Sequence, residues 1–383
     1  MRTPLEHAEE LLASAEADVR QLLPRRTTIV DAHVHVGRDI DGFVASYDDL
    51  IRFLGDSGAS RAFCFCLDEP DREPAFRAAN DRTLQAAKRS NGTLIPFARL
   101  DPSEAPLEEA TRALDAGARG IKLHPRSQAF SLDDGWLGPI FALAAERSVP
   151  ILIHGGRGLP PIAEQLAHLC DTHDGTQLII AHAGVADLLG LARLLRGRPG
   201  VFFDTSVWSV LDLLELLRNV GPEQVVYASD FPYGRLPGSL FLALKSARRA
   251  GLADHQVRDL MGGTASRIAD GAEPKTPTAP LDLDDGQPIT LARIHHYIAM
   301  AITLLWTRQP EQIGVLGLAR NTCAELHDFP AARDRAGELL QAAEDLWAAL
   351  HEVEDDEERL QLERTVFSLL HMADVEALTS ARS

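Results

Sequence analysis

Residues 28–37 read ThrIleValAspAlaHisValHisValGly, and the chain is read outward from them. An apolar run reaches Asp31, His33 and His35 follow two apart, and Gly37 breaks the run. In a β-strand, residues i and i+2 point to one face. Two imidazoles therefore stand side by side at the end of a strand, at a spacing that can grip one metal ion.

A strand–helix alternation starts here and persists for more than two hundred residues. Strand patterns fall at 28–35, 60–67, 93–99, 119–124, 149–154, 177–182, 200–205 and 224–230. Helical patterns fall between and after them at 48–56, 74–90, 105–116, 137–148, 159–172, 187–196, 211–220 and 238–250. Gly117 and Gly221 stand where helices end, as C′ residues do. Pro150 and Pro222 follow helices and precede strands, where they interrupt no ladder. Strands rich in Val, Ile and Phe imply parallel pairing buried on both faces. The expected fold class is α/β, a closed (β/α)8 TIM barrel. An open doubly wound sheet competes, but no Gly-x-Gly-x-x-Gly follows the first strand and no P-loop occurs.

The barrel is expected over residues 28–270, closed by a helix at 254–269. Residues 1–27 are expected to form a helical arm, with Leu5, Leu11, Leu12, Val19 and Leu22 at helical spacing and Pro24 ending the run. That arm would dock on the barrel or on another subunit. Residues 271–289 carry four prolines, several acidic residues and no periodicity, and read as a linker. Residues 290–383 are expected to be an all-helical bundle with helices near 289–308, 311–328, 331–352 and 356–378. Pro288, Pro310 and Pro330 stand where first-turn prolines stand.

Bulk properties narrow the function. The chain has 383 residues, a formal net charge of −18, 45% hydrophobic and 25% charged residues. Such a charge argues against nucleic acid and against an anionic membrane surface, and leaves a small molecule as the expected partner. Four cysteines without a disulfide pattern, and no basic-then-apolar leader, lead to the expectation of a cytoplasmic protein. The longest apolar stretch of the C-terminal part, Ile298 to Trp306, is too short to span a bilayer. Cys64 and Cys66 read as barrel core, and His295 and His296 as surface or packing residues of the bundle.

In a barrel of this kind, catalytic residues sit at the C-terminal ends of the strands. Strand one ends with His33 and His35, and strand three at Arg99. Strand four carries Lys122 and His124, strand five ends at His154, and strand six at His182. Strand seven ends at Asp204, Thr205 and Ser206, and strand eight at Asp230. Each residue alone has a structural explanation. The ordered set His-x-His, Lys, His, His, Asp is what points to a metal.

These residues lie within AspAlaHisValHis, GlyIleLysLeuHisPro, IleLeuIleHis, IleIleAlaHisAlaGly and AlaSerAspPhePro. Over about residues 28–270 the chain resembles the amidohydrolase superfamily. It is closest in pattern to the branch called amidohydrolase family 2, which also holds the aminocarboxymuconate-semialdehyde and resorcylate decarboxylases. The resemblance implies one divalent metal held by His33, His35, His154 and Asp230, with zinc expected and manganese the alternative. It implies His182 as catalytic acid/base, with Asp230 able to share the proton. Neutral imidazoles and one carboxylate suit zinc. In some superfamily members the strand-four lysine is carboxylated and bridges two metals. IleLysLeuHisPro matches the single-metal branch, which leaves Lys122 to bind substrate or balance charge; His124 supports the site or simply packs.

Arg157 in HisGlyGlyArgGly, Arg126 after strand four and Arg99 at strand three are candidate carboxylate clamps, and Trp208 a candidate wall. The competing assignment pairs these arginines with Asp101, Asp133 or Asp204. The expected function is a metal-dependent hydrolase that activates water against an amide, lactone or ester of a small carboxylate-bearing substrate. The alternative is a non-oxidative decarboxylase on the same residues. A non-catalytic scaffold would need a broken metal set, and the set is complete. The C-terminal helices, outside the resemblance, are expected to serve a homo-oligomer, a lid or a docking partner.

Overall fold

The strand patterns become the eight parallel strands of a barrel. The computed structural model describes residues 3–40, 42–282, 288–307, 312–350 and 353–380. In chain order the strands are β1 Ile29–Arg38, β2 Ala59–Cys66, β3 at 94–99, β4 Ile121–Leu123, β5 Pro150–Ile153, β6 Gln177–Ile180, β7 Val201–Asp204 and β8 Val225–Val226. β3 comes in two pieces, Leu94–Pro96 and Ala98–Arg99, because it changes neighbour at Phe97. The Phe97 N–H donates to the Cys64 carbonyl at 2.8 Å, while the next N–H, of Ala98, donates to Gly120 at 2.9 Å. The ring closes between β8 and β1: Ala32 donates to Tyr227 and Asp230 to His33, each at 2.9 Å, and Val34 bridges to Phe231.

The barrel is filled rather than hollow. Val30, Ala32, Phe63, Phe65, Phe97, Leu152, Ile179, Phe202 and Val226 form one interior cluster, with Phe63 and Phe97 stacked 5.0 Å apart. Cys64 and Cys66 are buried core residues, as read from the sequence, but they alternate with Phe63 and Phe65 and lie outside this interior cluster, Cys66 packing with Phe76 and Ala79. Around the ring run α2 Tyr47–Ser57, α3 Arg77–Arg89, α4 Pro106–Asp115, α5 Leu137–Glu146, α6 Ala163–Thr172, α7 Leu188–Leu195, α8 Val210–Asn219 and α9 Gly238–Arg249.

Two local features escaped the sequence reading. A two-residue strand, Val44–Ala45, pairs antiparallel with Gly37–Arg38; it is too short to leave a periodic signal. The closing helix expected at 254–269 is broken into α10 Asp254–Arg258, a wide π turn Asp259–Gly263, and α11 Thr264–Ala269. The cause is contact with the barrel floor. The Leu260 carbonyl accepts from the Tyr227 N–H at 2.8 Å, extending β8, and Gly262 lies so close to β1 that a Cβ there would meet the Thr28 oxygen at 2.2 Å.

The N-terminal helix α1, Pro4–Arg20, opens on a capping box of Thr3 and Glu6. It packs on α9 and on two C-terminal helices of its own chain. The C-terminal part holds α12 Ile289–Trp306, α13 Gln312–Ala324, α14 Pro330–Ala349 and α15 Asp356–Thr379. Pro330 occupies the first turn of α14 and Pro288 precedes α12; Pro310 lies outside the described residues. α12 as a whole is long and apolar enough to cross a membrane by length and composition, more than the stretch Ile298–Trp306 suggests. Its buried residues Leu291, Ile294, Ile298, Ala301 and Leu305 lie on the stripe of a helix that packs against α13 and α15. α15 contacts α9 and α8, seating the helices on the barrel. His295 is not a bare surface residue: its Nδ1 lies 2.9 Å from Oδ1 of Asp374 on α15.

Two predictions follow from this packing. In Gly262→Ala, a β-carbon driven into the Thr28 carbonyl costs about 1–3 kcal/mol in urea unfolding, while Gly55→Ala, with open space and a helical backbone, leaves stability equal or higher. The bond to Asp374 raises the His295 pKa above its ordinary value, against the effect of burial, with Asp212 adding to the rise. A raised folded pKa contributes stability in full below about pH 6.5 and loses it as pH rises through the folded value. Asp374→Asn therefore lowers the unfolding free energy more at about pH 6 than at about pH 9; an equal loss at both would refute the linkage.

Candidate active site

β1 delivers His33 and His35 to the mouth of the barrel, and β8 delivers Asp230 beside them. His33 Nδ1 lies 2.8 Å from Oδ2 of Asp204, and its Nε2 lies 3.1 Å from Oδ1 of Asp230. His35 Nε2 lies 3.2 Å from the same Asp230 oxygen. His33 and Asp204 are fully buried. Burial, then the charge of Lys122, holds His33 well below its ordinary pKa, so the ring is neutral and carries one N–H. Asp204 takes that N–H. Nε2 is then a bare lone pair facing a carboxylate oxygen. Two electron-rich atoms at 3.1 Å repel each other unless a cation joins them.

His35 tells the same story. Burial lowers its pKa, and its Nδ1 is buried without a partner. The ligand atoms of His33, His35 and Asp230 lie within 4.8 Å of one another. His154, at the end of β5, lines the same pocket; burial and then His182 push it down to about 2, and its Nε2 has no partner. Neutral imidazoles with free lone pairs beside an ionised carboxylate are the protonation states a divalent cation requires. These residues fit the metal the sequence implies.

His182 follows β6. Its Nδ1 is 2.9 Å from both the carbonyl and the hydroxyl of Ser206. The Ser206 hydroxyl donates to Asp204 Oδ1 at 2.6 Å, so its own hydrogen is used. The hydrogen-bond pattern assigns the imidazole N–H to Nδ1 and leaves Nε2 as a free base. Asp204 also accepts from the backbone N–H groups of His182 and Ser206, at 2.7 and 3.0 Å. One buried carboxylate thus fixes His33 with one oxygen and the His182 loop with the other. His182, Ala183 and Asp230 all adopt left-handed backbone conformations, with φ of 57°, 53° and 61°. Such conformations in non-glycine residues collect at functional sites. Gly156 is required by close approach: a Cβ would meet His154 Cε1 and His182 Cδ2, each at 2.8 Å.

A cavity of 560 Å³ opens over these groups. Arg99, Lys122, Arg126 and Trp208 line it. Lys122 is buried, its Nζ stands 4.7 Å over the Phe65 ring, and burial brings its pKa down to about 7. Arg99 is buried, donates to Ser127 Oγ at 2.6 Å, and leaves Nε unpartnered. Among the described residues neither Arg99 nor Arg126 forms an ion pair, so neither is spent on Asp101, Asp133 or Asp204. Arg157 is not brought to the cavity: it is exposed, and its charge acts on Asp212 instead. The loop after β5 turns it outward, and Arg126 lies against that loop, 2.9 Å from where a Gly158 Cβ would stand. His124 stacks on His154 with centroids 3.9 Å apart, and its Nδ1 accepts from the Ser127 N–H at 3.2 Å.

Sequence reading left three site residues unassigned. Asp204 was visible at a strand end, but its service to two histidines depends on pairing across the barrel. Asp31, which accepts from the N–H groups of His33 and Ser229, is brought up to about 7 by burial. Tyr233 lines the cavity, with its ring 5.6 Å from that of His35; nothing in its local sequence marks it. We predict that Asp204→Asn lowers metal affinity about 10- to 100-fold in competition with a chelator, as loss of a histidine-orienting carboxylate does. Unchanged affinity would remove Asp204 from the site.

The family profile described as amidohydrolase matches residues 30–268. No curated protein matches the chain. Among solved structures, a putative amidohydrolase from Staphylococcus aureus aligns with a TM-score of 0.52 at 15% identity, over 63% of this chain and 99% of that one. A dihydroxybenzoic acid decarboxylase from Polaromonas, with bound manganese and the inhibitor 2-nitroresorcinol, aligns at 0.51 and 13%, over 64% and 97%. The 5-carboxyvanillate decarboxylase from Sphingomonas paucimobilis aligns at 0.50 and 15%, over 64% and 99%.

Proposed function

Because the chain belongs to the amidohydrolase family, with a match over residues 30–268, we propose that it is a metal-dependent hydrolase of a small carboxylate-bearing amide, lactone or ester. The observation that carries this reading is the tautomer of His182. Its N–H is tied to Ser206, which leaves Nε2 as a base over the cavity. A water nucleophile needs such a base within reach.

His33, His35, His154 and Asp230 would hold the cation, zinc by donor type, with manganese the alternative. When bound, it supplies Lewis acidity, which makes water nucleophilic near neutral pH and polarises a carbonyl. The protein's own residues do the rest. His182 Nε2 takes a proton from the attacking water and returns it to the leaving amine or alkoxide. Asp204 and Ser206 hold the ring in the accepting tautomer. Lys122, Arg99 and Arg126 hold a substrate carboxylate, Arg126 and Arg99 with guanidinium forks. Trp208 flanks the entrance. Lys122 acts in this reading as a cation on the Phe65 face rather than as a carboxylated bridge to a second metal.

Decarboxylation is the second reading, supported by the same cationic wall, which would seat a carboxylate next to the metal residues. The two differ in the first proton transfer: hydrolysis needs a base, and decarboxylation an acid for the carbon. The test combines metal analysis with product analysis. His182→Asn is expected to keep about one metal per chain and lose about 10²–10⁴ in kcat. Arg126→Met raises KM, and Arg157→Ala leaves both constants unchanged. Release of carbon dioxide without consumption of water would overturn hydrolysis in favour of decarboxylation.

A further inference from the structure

A second cavity, of 310 Å³, adjoins the metal pocket on the β7–β8 side and is closed by the C-terminal helices. Trp208 and Tyr233 line both cavities, so the two adjoin across these side chains. The far wall is Trp306 from the end of α12 and Phe367 from α15. Phe367 packs edge-on against Trp208 at 4.6 Å and lies 5.7 Å from Trp306. A volume near 300 Å³ lined by aromatic rings suits the body of a small molecule.

Two guanidiniums complete this wall: Arg235, after β8, and Arg364, on α15. Neither forms an ion pair or a hydrogen bond among the described residues. Arg235, part of which reaches solvent, is held below its ordinary pKa by burial and then by the charge of Arg364, with Asp49 acting the other way, so the two cations are close enough to repel. The nearby His371 is held below its ordinary pKa by burial and adds no third positive charge. Among the described residues no Asp or Glu lines the cavity, so two like charges at its wall are complementary to an anion.

We propose that this cavity is the second half of the substrate site, and that the substrate has two ends: a reacting carboxylate-bearing head on the metal pocket, and an apolar body running past Trp208, Phe367 and Trp306 to a second anionic group, carboxylate or phosphate, on Arg235 and Arg364. The proposal rests on the metal pocket being the reacting end. It gives the C-terminal helices a role in substrate recognition, because α12 and α15 supply Trp306, Phe367 and Arg364. A barrel ending at residue 270 would lack that wall.

The probes are flexible α,ω-dicarboxylates of six to twelve carbons and the matching monocarboxylates, titrated by calorimetry into the metal-loaded full chain. At least one dicarboxylate is expected to bind about tenfold or more tighter than its monocarboxylate partner. Arg235→Met with Arg364→Met removes that preference while leaving monocarboxylate affinity and metal content unchanged, and Arg364→Lys keeps most of it. The proposal is overturned if no chain length shows a preference, or if the preference survives the double substitution in folded, metal-loaded protein. Monocarboxylate binding that weakens in Arg99→Met tests the head site separately. Its persistence with no dicarboxylate preference sinks the second half alone, and its absence sinks the reading of the metal pocket. The same series ending in phosphate distinguishes the two anions.

Discussion

Everything at the barrel mouth depends on one electrostatic conflict. A neutral, buried His33 points a lone pair at Asp230 from 3.1 Å, and the His35 Nε2 stands 3.2 Å from the same oxygen. Without a cation, this cluster costs free energy on every side: desolvation of the carboxylate, repulsion between lone pairs, and unpartnered ring nitrogens on His35 and His154. The remaining structure holds these groups in place against that cost. Asp204 fixes the outer nitrogen of His33, and the left-handed backbone at Asp230 turns its carboxylate back toward β1, where its own N–H is bonded to the His33 carbonyl. The conflict is local and the support comes from the whole ring, because Asp204 and Asp230 belong to β7 and the end of β8 while the histidines they face belong to β1.

The barrel explains why this arrangement can be built at all. Parallel strands give every strand end the same direction, so residues far apart in sequence converge on one face. His33 and Asp230 are separated by nearly two hundred positions yet share a backbone hydrogen bond at the ring closure. The filled interior under them, Phe65 and Phe97 above Phe63, keeps water out from below. Phe65 also touches His33, His35 and Lys122, so the packing that makes the core also sets the ring angles of the site.

Much of this was legible in the sequence for a definite reason. Strand ends in a barrel are chemically exposed positions, so His33, His35, Lys122, His154, His182 and Asp230 stand out as polar residues at the close of apolar runs. What could not be read is what depends on closure of the ring or on loop direction. Asp204 looks the same in sequence whether it caps a turn or orients a histidine. Arg157 and Arg126 look equivalent, each just beyond a strand, and only the path of the glycine-rich loop separates the one that lines the cavity from the one that does not. The broken helix near Gly262 was hidden because a π turn keeps helical periodicity while changing where a carbonyl points.

The C-terminal helices lie beyond the amidohydrolase match, which stops at residue 268. Their position bears on specificity rather than on chemistry. Among the described residues none of their side chains lines the metal pocket; they stand beside the ends of β7 and β8, around the outer cavity that shares Trp208 and Tyr233 with it. A scaffold that keeps its reacting groups on the ring, and its recognition groups on an appended layer, can change what it binds without disturbing the electrostatics that the metal residues require. α15 suits that task mechanically. Its C-terminal half is buried against the barrel and the other helices, from Leu369 to Thr379, while its earlier turns carry Arg364 and Phe367 to the cavity. The rigid end positions the recognising end, and binding energy gathered far from the reacting carbonyl becomes available to orient it.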